Sequence, residues 1–337
     1  MQHRRLGRSG LFVSEMCLGT MTFGAETTER EAHSMMDSFV EAGGNFIDTA
    51  NAYSSGVSEE IIGSWLRSHR GALADRMIIA TKARFPMSSD VNDKGASRRH
   101  LTRAIEASLR RLKVETIDLF QLHAWDPRTE LDETLSALER ATDSGKIQYY
   151  GLSNFDGWQI SKVVMTSLLQ GGPPPVSMQP QYSLVAREVE WEILPAARDS
   201  GLGILPWSPL GGGLLTGKYD RDSPIPPTGR LGHLASDSTG TKSATVAEHS
   251  WKILDAVRAT SLESGIPIAS VALAWLLNQP GVSSVIVGAR DRTQLAESLK
   301  AVRSTLSPDA LAVLSAVSEP TAADYPYGTR GREQHER

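Results

Sequence analysis

The chain has 337 residues, 40% apolar and 22% charged, with 29 glycines and 17 prolines, a globular composition that excludes a wholly disordered, collagenous or coiled-coil molecule. Lys and Arg number 35 against 39 Asp and Glu, so the net charge of -4 gives no field favouring nucleic acid or an anionic membrane. A single cysteine, Cys17, rules out an intramolecular disulfide and a cysteine-built metal cage.

In chain order, a hairpin is expected first, with strands over 4–6 and 11–13 around a turn at 7–10. Short apolar runs then alternate with amphipathic helical patterns. The runs predict strands over 16–19, 45–48, 77–81, 116–123, 147–151, 176–179, 203–206 and 284–287. Helices are expected over 29–42, 58–67, 98–112, 129–144, 157–169, 189–200, 270–278 and 291–301, several followed by glycine as C-capping requires. Extra helices are expected over 245–264 and 308–317. Strands that always return through a helix pair in parallel, and eight such units close as a (β/α)8 TIM barrel. The rival doubly wound sheet would bring a G-x-G-x-x-G fingerprint, which the chain lacks. One barrel domain over 1–337 is therefore expected, with a long Gly-, Pro- and Ser-rich cofactor or lid loop over 208–244 and a mobile polar tail over 328–337. The basic N-terminus has no signal-like apolar run, and the longest apolar stretch, 271–277, is far short of the ~20 residues that cross a bilayer. A soluble, cytoplasmic protein is expected.

Barrels keep their chemistry at the C-terminal ends of strands. Asp48 and His123 each end an expected strand, Lys82 directly follows the one over 77–81, and Tyr53 follows Asp48 in the next loop. Strand alternation puts Lys82 on the face of Ile78 and Ala80, Asp48 on that of Phe46, and His123 on that of Leu119 and Gln121. Apolar positions topped by ionisable ones describe a packed barrel with a polar mouth. A free phenol with pKa about 10 is a poor acid at neutral pH. A neighbouring ammonium lowers that value, a carboxylate keeps the ammonium charged, and a shift of about three units needs roughly 4 kcal/mol. The set suits delivery of a proton to a carbonyl oxygen, or its removal from an alcohol.

The motifs carrying these residues resemble the aldo-keto reductases. They are Gly44 to Asp48 with Tyr53, Gly56, Ser58 and Glu59; Ile79 to Lys82; Asp118 to His123; Gly145 to Ile147; and Gly151 to Asn154. The resemblance implies reversible NADP-dependent reduction of an aldehyde or ketone. It makes Tyr53 the acid/base, Lys82 and Asp48 its tuners, and His123 the substrate-orienting residue. The branch that includes potassium-channel β subunits is also resembled, which leaves a redox-sensing binding protein as the alternative.

For the cofactor, the resemblance implies Gly19, Thr20, Met21 and Asp48 near the first strands, with Ser153, Asn154 and Gln179 on the nicotinamide amide and Trp207 stacked on its ring. The loop that runs from Ser208, Pro209, Leu210 and Gly211 through Gly212 and Gly213 to Lys218 would offer backbone N–H groups and one cation to the pyrophosphate, with Arg230 as a weaker candidate to close over it. Gly288, Arg290, Gln294 and Glu297 would hold the adenosine end. Arg290 suits a 2′-phosphate through its planar fork, which favours NADP over NAD. Some members carry Arg where Gln294 stands, and that anchor is absent here.

Other motifs fail. Gly212 to Lys218 has Walker A spacing, but Tyr219 stands where Ser or Thr must bind magnesium. Gly151 to Phe155 lacks the last glycine of a nucleophile elbow. The eight histidines show no metal-binding spacing, so no metal is expected. A Schiff-base aldolase is disfavoured because a lysine paired to Asp48 stays protonated. The substrate pocket is expected to draw on Met21, Phe85, Trp125, Tyr325 and Tyr327, a lining that identifies no ligand. The partner is a small carbonyl or alcohol, and oligomeric state is unreadable.

Overall fold

The computed structural model describes residues 1–69, 71, 73–223, 225–226, 231, 246–322, 324–328, 331 and 334. A hairpin of β1 (His3–Arg5) and β2 (Phe12–Ser14) comes first. Eight strands follow: β3 (Met16–Gly19), β4 (Phe46–Asp48), β5 (Ile78–Ala83), β6 (Ile117–Leu122), β7 (Ile147–Ser153), β8 (Ser177–Gln179), β9 (Gly203–Ile204) and β10 (Val285–Gly288). The helices between and after them are α1 (Glu29–Glu41), α2 (Val57–Ser68), α3 (Arg98–Leu112), α4 (Leu131–Asp143), α5 (Gly157–Leu169), α6 (Ile193–Asp199), α7 (Glu248–Ser264), α8 (Ile268–Leu277), α9 (Arg292–Leu299) and α10 (Pro308–Val317).

The eight strands pair in parallel in the order β10-β3-β4-β5-β6-β7-β8-β9. The two edges meet through a parallel bridge between Ile204 and Val282. Across this seam Ser283 N donates to Ile204 O at 2.9 Å and Ile286 N to Pro206 O at 3.0 Å, which closes the (β/α)8 barrel. Pro206 has no N–H to return, so the seam is thin there.

Period-2 alternation sorts the apolar residues into two shells. Cys17, Phe46, Ala80, Leu119, Leu205 and Ile286 fill the barrel, and Leu6 and Val13 of the hairpin join them. Met16, Leu18, Ile47, Ile79 and Phe120 face outward onto the buried sides of the helices, among them Met36, Phe39, Ile62 and Trp65. Each such side chain, fully buried, contributes about 1.5–3 kcal/mol. Capping follows the sequence: Thr28, Ser97, Asp291 and Ser307 accept from the first turns of α1, α3, α9 and α10.

The sequence expectations differ from the structure in particular places. Strands β5 and β7 each run two residues beyond the expected ends at 81 and 151, which brings Lys82 and Ser153 into the ladders. The helix expected over 189–200 begins only at Ile193. Arg187 chelates Glu190 at 2.7 and 2.9 Å and Tyr182 donates to the same carboxylate at 2.7 Å, which holds Glu188–Glu190 in a separate 3-10 turn. Within the expected loop over 208–244, the described residues Gly211–Thr216 form another 3-10 segment, with Gly211, Gly212 and Gly213 all at positive φ. Most of the remainder of that loop, and most of the expected tail over 328–337, lie outside the described residues. Among the described residues no single helix is long and apolar enough to cross a membrane.

Candidate active site

The barrel's stagger brings the ionisable strand ends together. Asp48 is in register with Ala80, and Lys82 lies two residues further along β5 on the same inward face. Lys82 Nζ donates to Asp48 Oδ2 at 2.6 Å, to Thr49 O at 2.8 Å and to the Tyr53 hydroxyl at 3.3 Å. The three N–H groups of the ammonium therefore have three acceptors. The other carboxylate oxygen, Asp48 Oδ1, accepts from Gln121 Nε2 at 3.0 Å and Gln179 Nε2 at 2.9 Å. Gln179 Nε2 also reaches Gln121 Oε1 at 3.1 Å, so Gln179 has only its carbonyl oxygen to offer a ligand.

Lys82 is fully inaccessible and Asp48 nearly so. Burial alone would push the ammonium down, but Asp48 and then Tyr53 outweigh it and hold Lys82 above its ordinary value. His123 shows the opposite balance. Burial, then the charges of Lys82 and Arg84, push its pKa down to about 2, so the ring is neutral. Its Nδ1 is buried without a partner, which leaves Nε2 as the nitrogen able to meet a ligand. The ring stands edge-on to Tyr53, with centroids 5.9 Å apart, and to Phe85, at 4.6 Å. Gly151 makes room beside this layer: a Cβ there would fall 2.1 Å from Ser177 Oγ.

The residues expected to hold a nicotinamide also assemble. Asn154, at φ +57, donates through Nδ2 to His123 O at 2.9 Å and to Ser153 Oγ at 3.1 Å. Trp207 Nε1 donates to Asn154 Oδ1 at 3.1 Å, so the indole and the amide orient each other beside His123. Ser153 Oγ donates to Gln179 O at 3.0 Å. Thr20 is pinned to Asp48 O through both its N–H and its hydroxyl, at 3.0 Å each. Gly19 pairs with Gly288 at the strand ends, and Met21 is 40% exposed at the rim.

The phosphate and adenosine end fits its expected roles less directly. The N–H groups of Gly211 and Gly212 bond to Ser208 O and Oγ, and that of Gly213 to Leu210 O. The 3-10 turn thus consumes donors expected to face a pyrophosphate, leaving Lys218, whose Nζ lies 5.1 Å from the Tyr219 ring centroid. Arg290 forms an ion pair with Glu26, which a 2′-phosphate would have to displace. Gln294 folds back to accept from Arg290 N at 3.1 Å, and Glu297 pairs with Lys300 at 2.5 Å. Arg230 lies outside the described residues. Tyr327 stacks on Trp191 at 5.4 Å and donates to Glu192 at 2.7 Å, whereas Tyr325 is exposed. The acceptor oxygens of Gln179, Asn154 and Ser153 and the flat indole suit the N–H groups of a nicotinamide amide, and the cations suit phosphates once Glu26 is exchanged.

Several site residues, and the bond from the Gln179 amide to Asp48, were not singled out from sequence. Gln121 shares the inward face of His123, a signal that alternation does carry. The Gln179 amide and Thr49 carbonyl enter through barrel stagger, and Arg84 and Glu26 through loop geometry, none of which has a sequence period. Among the described residues no cluster of metal-ligating side chains occurs.

The comparisons agree with this geometry. The family model for the aldo/keto reductase family matches residues 15–319. The chain belongs to the aldo/keto reductase family. Its relatives include an uncharacterized oxidoreductase, YrpG, of Bacillus subtilis, 38% identical over 94% of this chain and 95% of that one. A probable voltage-gated potassium channel subunit beta of Oryza sativa is 34% identical over 94% and 96%. An L-glyceraldehyde 3-phosphate reductase of Escherichia coli O157:H7 is 33% identical over 93% and 91%. The family and these relatives make the chain an oxidoreductase, in a family that typically uses a nicotinamide cofactor.

Proposed function

We propose that the chain is an NADP-dependent carbonyl reductase acting reversibly on a small aldehyde or ketone, with Tyr53 as acid/base. The observation that carries this reading is the Lys82 ammonium shared between the Asp48 carboxylate and the Tyr53 hydroxyl.

Trp207, Asn154, Ser153 and Gln179 would hold the nicotinamide, and Lys218 and Arg290 the phosphates; when bound, this group supplies hydride to the carbonyl carbon. The chain's own part is proton transfer. As negative charge develops on the carbonyl oxygen, Tyr53 gives its proton to that oxygen and the ammonium 3.3 Å away stabilises the phenolate left behind. Asp48 keeps the ammonium charged, and the two glutamine amides hold Asp48 in place. His123, neutral, can donate from Nε2 to the same substrate oxygen without adding charge. Lys82 makes a poor Schiff-base nucleophile, since its charge is held above the ordinary value.

The test is NADPH oxidation, followed by absorbance, with a panel of aldehydes and ketones, NADH being run in parallel. Tyr53→Phe is expected to lower kcat by about 10³-fold while NADPH still binds by fluorescence titration. A near-native rate in that variant would refute the acid/base assignment. The likeness to a channel β subunit favours a second reading, a sensor that oxidises its cofactor about once and releases it slowly. Multiple turnovers on any carbonyl exclude it.

A further inference from the structure

The mouth holds a cation that proton transfer does not use. Arg84 stands two residues beyond Lys82, where its carbonyl accepts from Gly95 N at 2.8 Å. Its half-buried guanidinium donates Nη2 to Trp125 O at 3.2 Å, two residues past His123. The guanidinium carbon lies 5.5 Å from the centroid of Phe85, and that ring is itself 4.6 Å from His123. Arg84 is therefore tied to the loops that carry His123 and the aromatic rim.

This guanidinium is under-used. Its Nε is buried without a hydrogen-bond partner, and no carboxylate among the described residues pairs with it. Asp126 feels its charge, yet the Asp126 oxygens accept from Ala96 N at 2.7 Å, Arg128 N at 3.1 Å and Thr129 Oγ1 at 2.8 Å. Lys82, by contrast, is saturated and neutralised by Asp48, and His123 is neutral. The net positive charge at this side of the mouth falls on Arg84. The sealed Nε is a cost the fold carries, but among the described residues the guanidinium bonds through Nη2 alone, and its planar fork matches a carboxylate or a phosphate.

We propose that Arg84 is the anion-recognising residue of the substrate cleft, and that the substrate is an aldehyde or ketone carrying a carboxylate or phosphate group. The carbonyl faces Tyr53 and the anionic group docks on Arg84, with Phe85 and Trp125 flanking the carbon skeleton between them. This rests on the carbonyl-reductase reading of the same cleft.

The test compares kcat/KM within two matched pairs: 4-carboxybenzaldehyde against its methyl ester, and glyceraldehyde 3-phosphate against glyceraldehyde. Wild type is expected to prefer the anionic member of one pair by about tenfold or more, less so as salt rises. The pair showing the preference distinguishes carboxylate from phosphate. Arg84→Met should cut the ratio by about tenfold, mainly through KM, and Arg84→Lys should keep part of it. A wild-type ratio near one in both pairs, or a ratio unchanged in Arg84→Met and Arg84→Lys, overturns the proposal. If no carbonyl is reduced at all, the reductase reading fails separately. Calorimetric titration of benzoate and inorganic phosphate into wild type and the Arg84 variants then decides: weaker binding of either anion to the variants supports the anion site, and equal affinity overturns it.

Discussion

Two adjacent residues of β5 serve two buried acid–base pairs on opposite faces of the sheet. Lys82 points inward to Asp48 at 2.6 Å; Thr81 points outward to Glu59, also at 2.6 Å, and Arg111 Nε completes that second pair at 2.7 Å. Both acids are buried and both carboxylate oxygens are bonded in each. The outer pair ties α2 and α3 to the sheet and touches nothing reactive. The inner one has a third member, the Tyr53 hydroxyl, and stands below the His123 and Trp207 mouth. Burial and pairing are therefore common to a brace and to the proposed proton-transfer site; the extra titratable partner at the mouth separates them.

Substitution breaks the comparison most sharply at Lys82. Lys82→Met should lower kcat by about 10²–10³-fold. In the alcohol-oxidising direction the residual rate should climb with pH toward the value of about 10 of an ordinary phenol, read from a pH–rate profile. On the outer pair, Glu59→Gln should cost about 2–3 kcal/mol in urea denaturation, since Arg111 is partly solvated and the desolvation penalty is discounted accordingly. Its kcat should stay within about threefold of wild type. A catalytic collapse there would erase the distinction.

His123 offers a pH test of the inner environment. Its folded pKa of about 2 lies below the ordinary 6.5, so stability tied to the neutral ring is intact above pH 6.5 and lost as pH falls below it. The loss is about 1.4 kcal/mol per pH unit. Between pH 7 and pH 5, wild type should lose about 2 kcal/mol relative to His123→Gln in paired denaturation curves. The exposed pair Arg290–Glu26 completes the series at the weak end. Arg290→Ala should raise KM for NADPH about tenfold more than for NADH, and Glu26→Gln should lower KM for NADPH about twofold, both by steady-state kinetics.

The barrel was readable because its signals are periodic. The apolar run Met16 to Leu18 before Gly19 states a strand, and Ile78 and Ala80 before Lys82 state strand and inward face together. Three of the four residues of the proposed proton-transfer site stand out in the sequence as polar tops on apolar strands, and Tyr53 by its place beside Asp48. What stayed hidden depends on closure and stagger. That the Gln179 amide crosses the barrel to Asp48, or that Glu26 covers Arg290, follows from how separate loops meet, which no local pattern records. The glycines after Trp207 were read as N–H donors awaiting phosphate. Their positive φ values instead fold them into a turn that satisfies several of those donors internally.

Cys17 lies sealed in the barrel interior, its thiol pushed well above the ordinary range by burial and then by the charge of Asp48. Peroxides and alkylating agents act on accessible thiolates, and Cys17, the single cysteine, presents none. Two folded copies cannot be stapled through this residue, and thiol-reactive dyes have no purchase on it. An oxidative switch built on a thiol is therefore closed to the folded molecule.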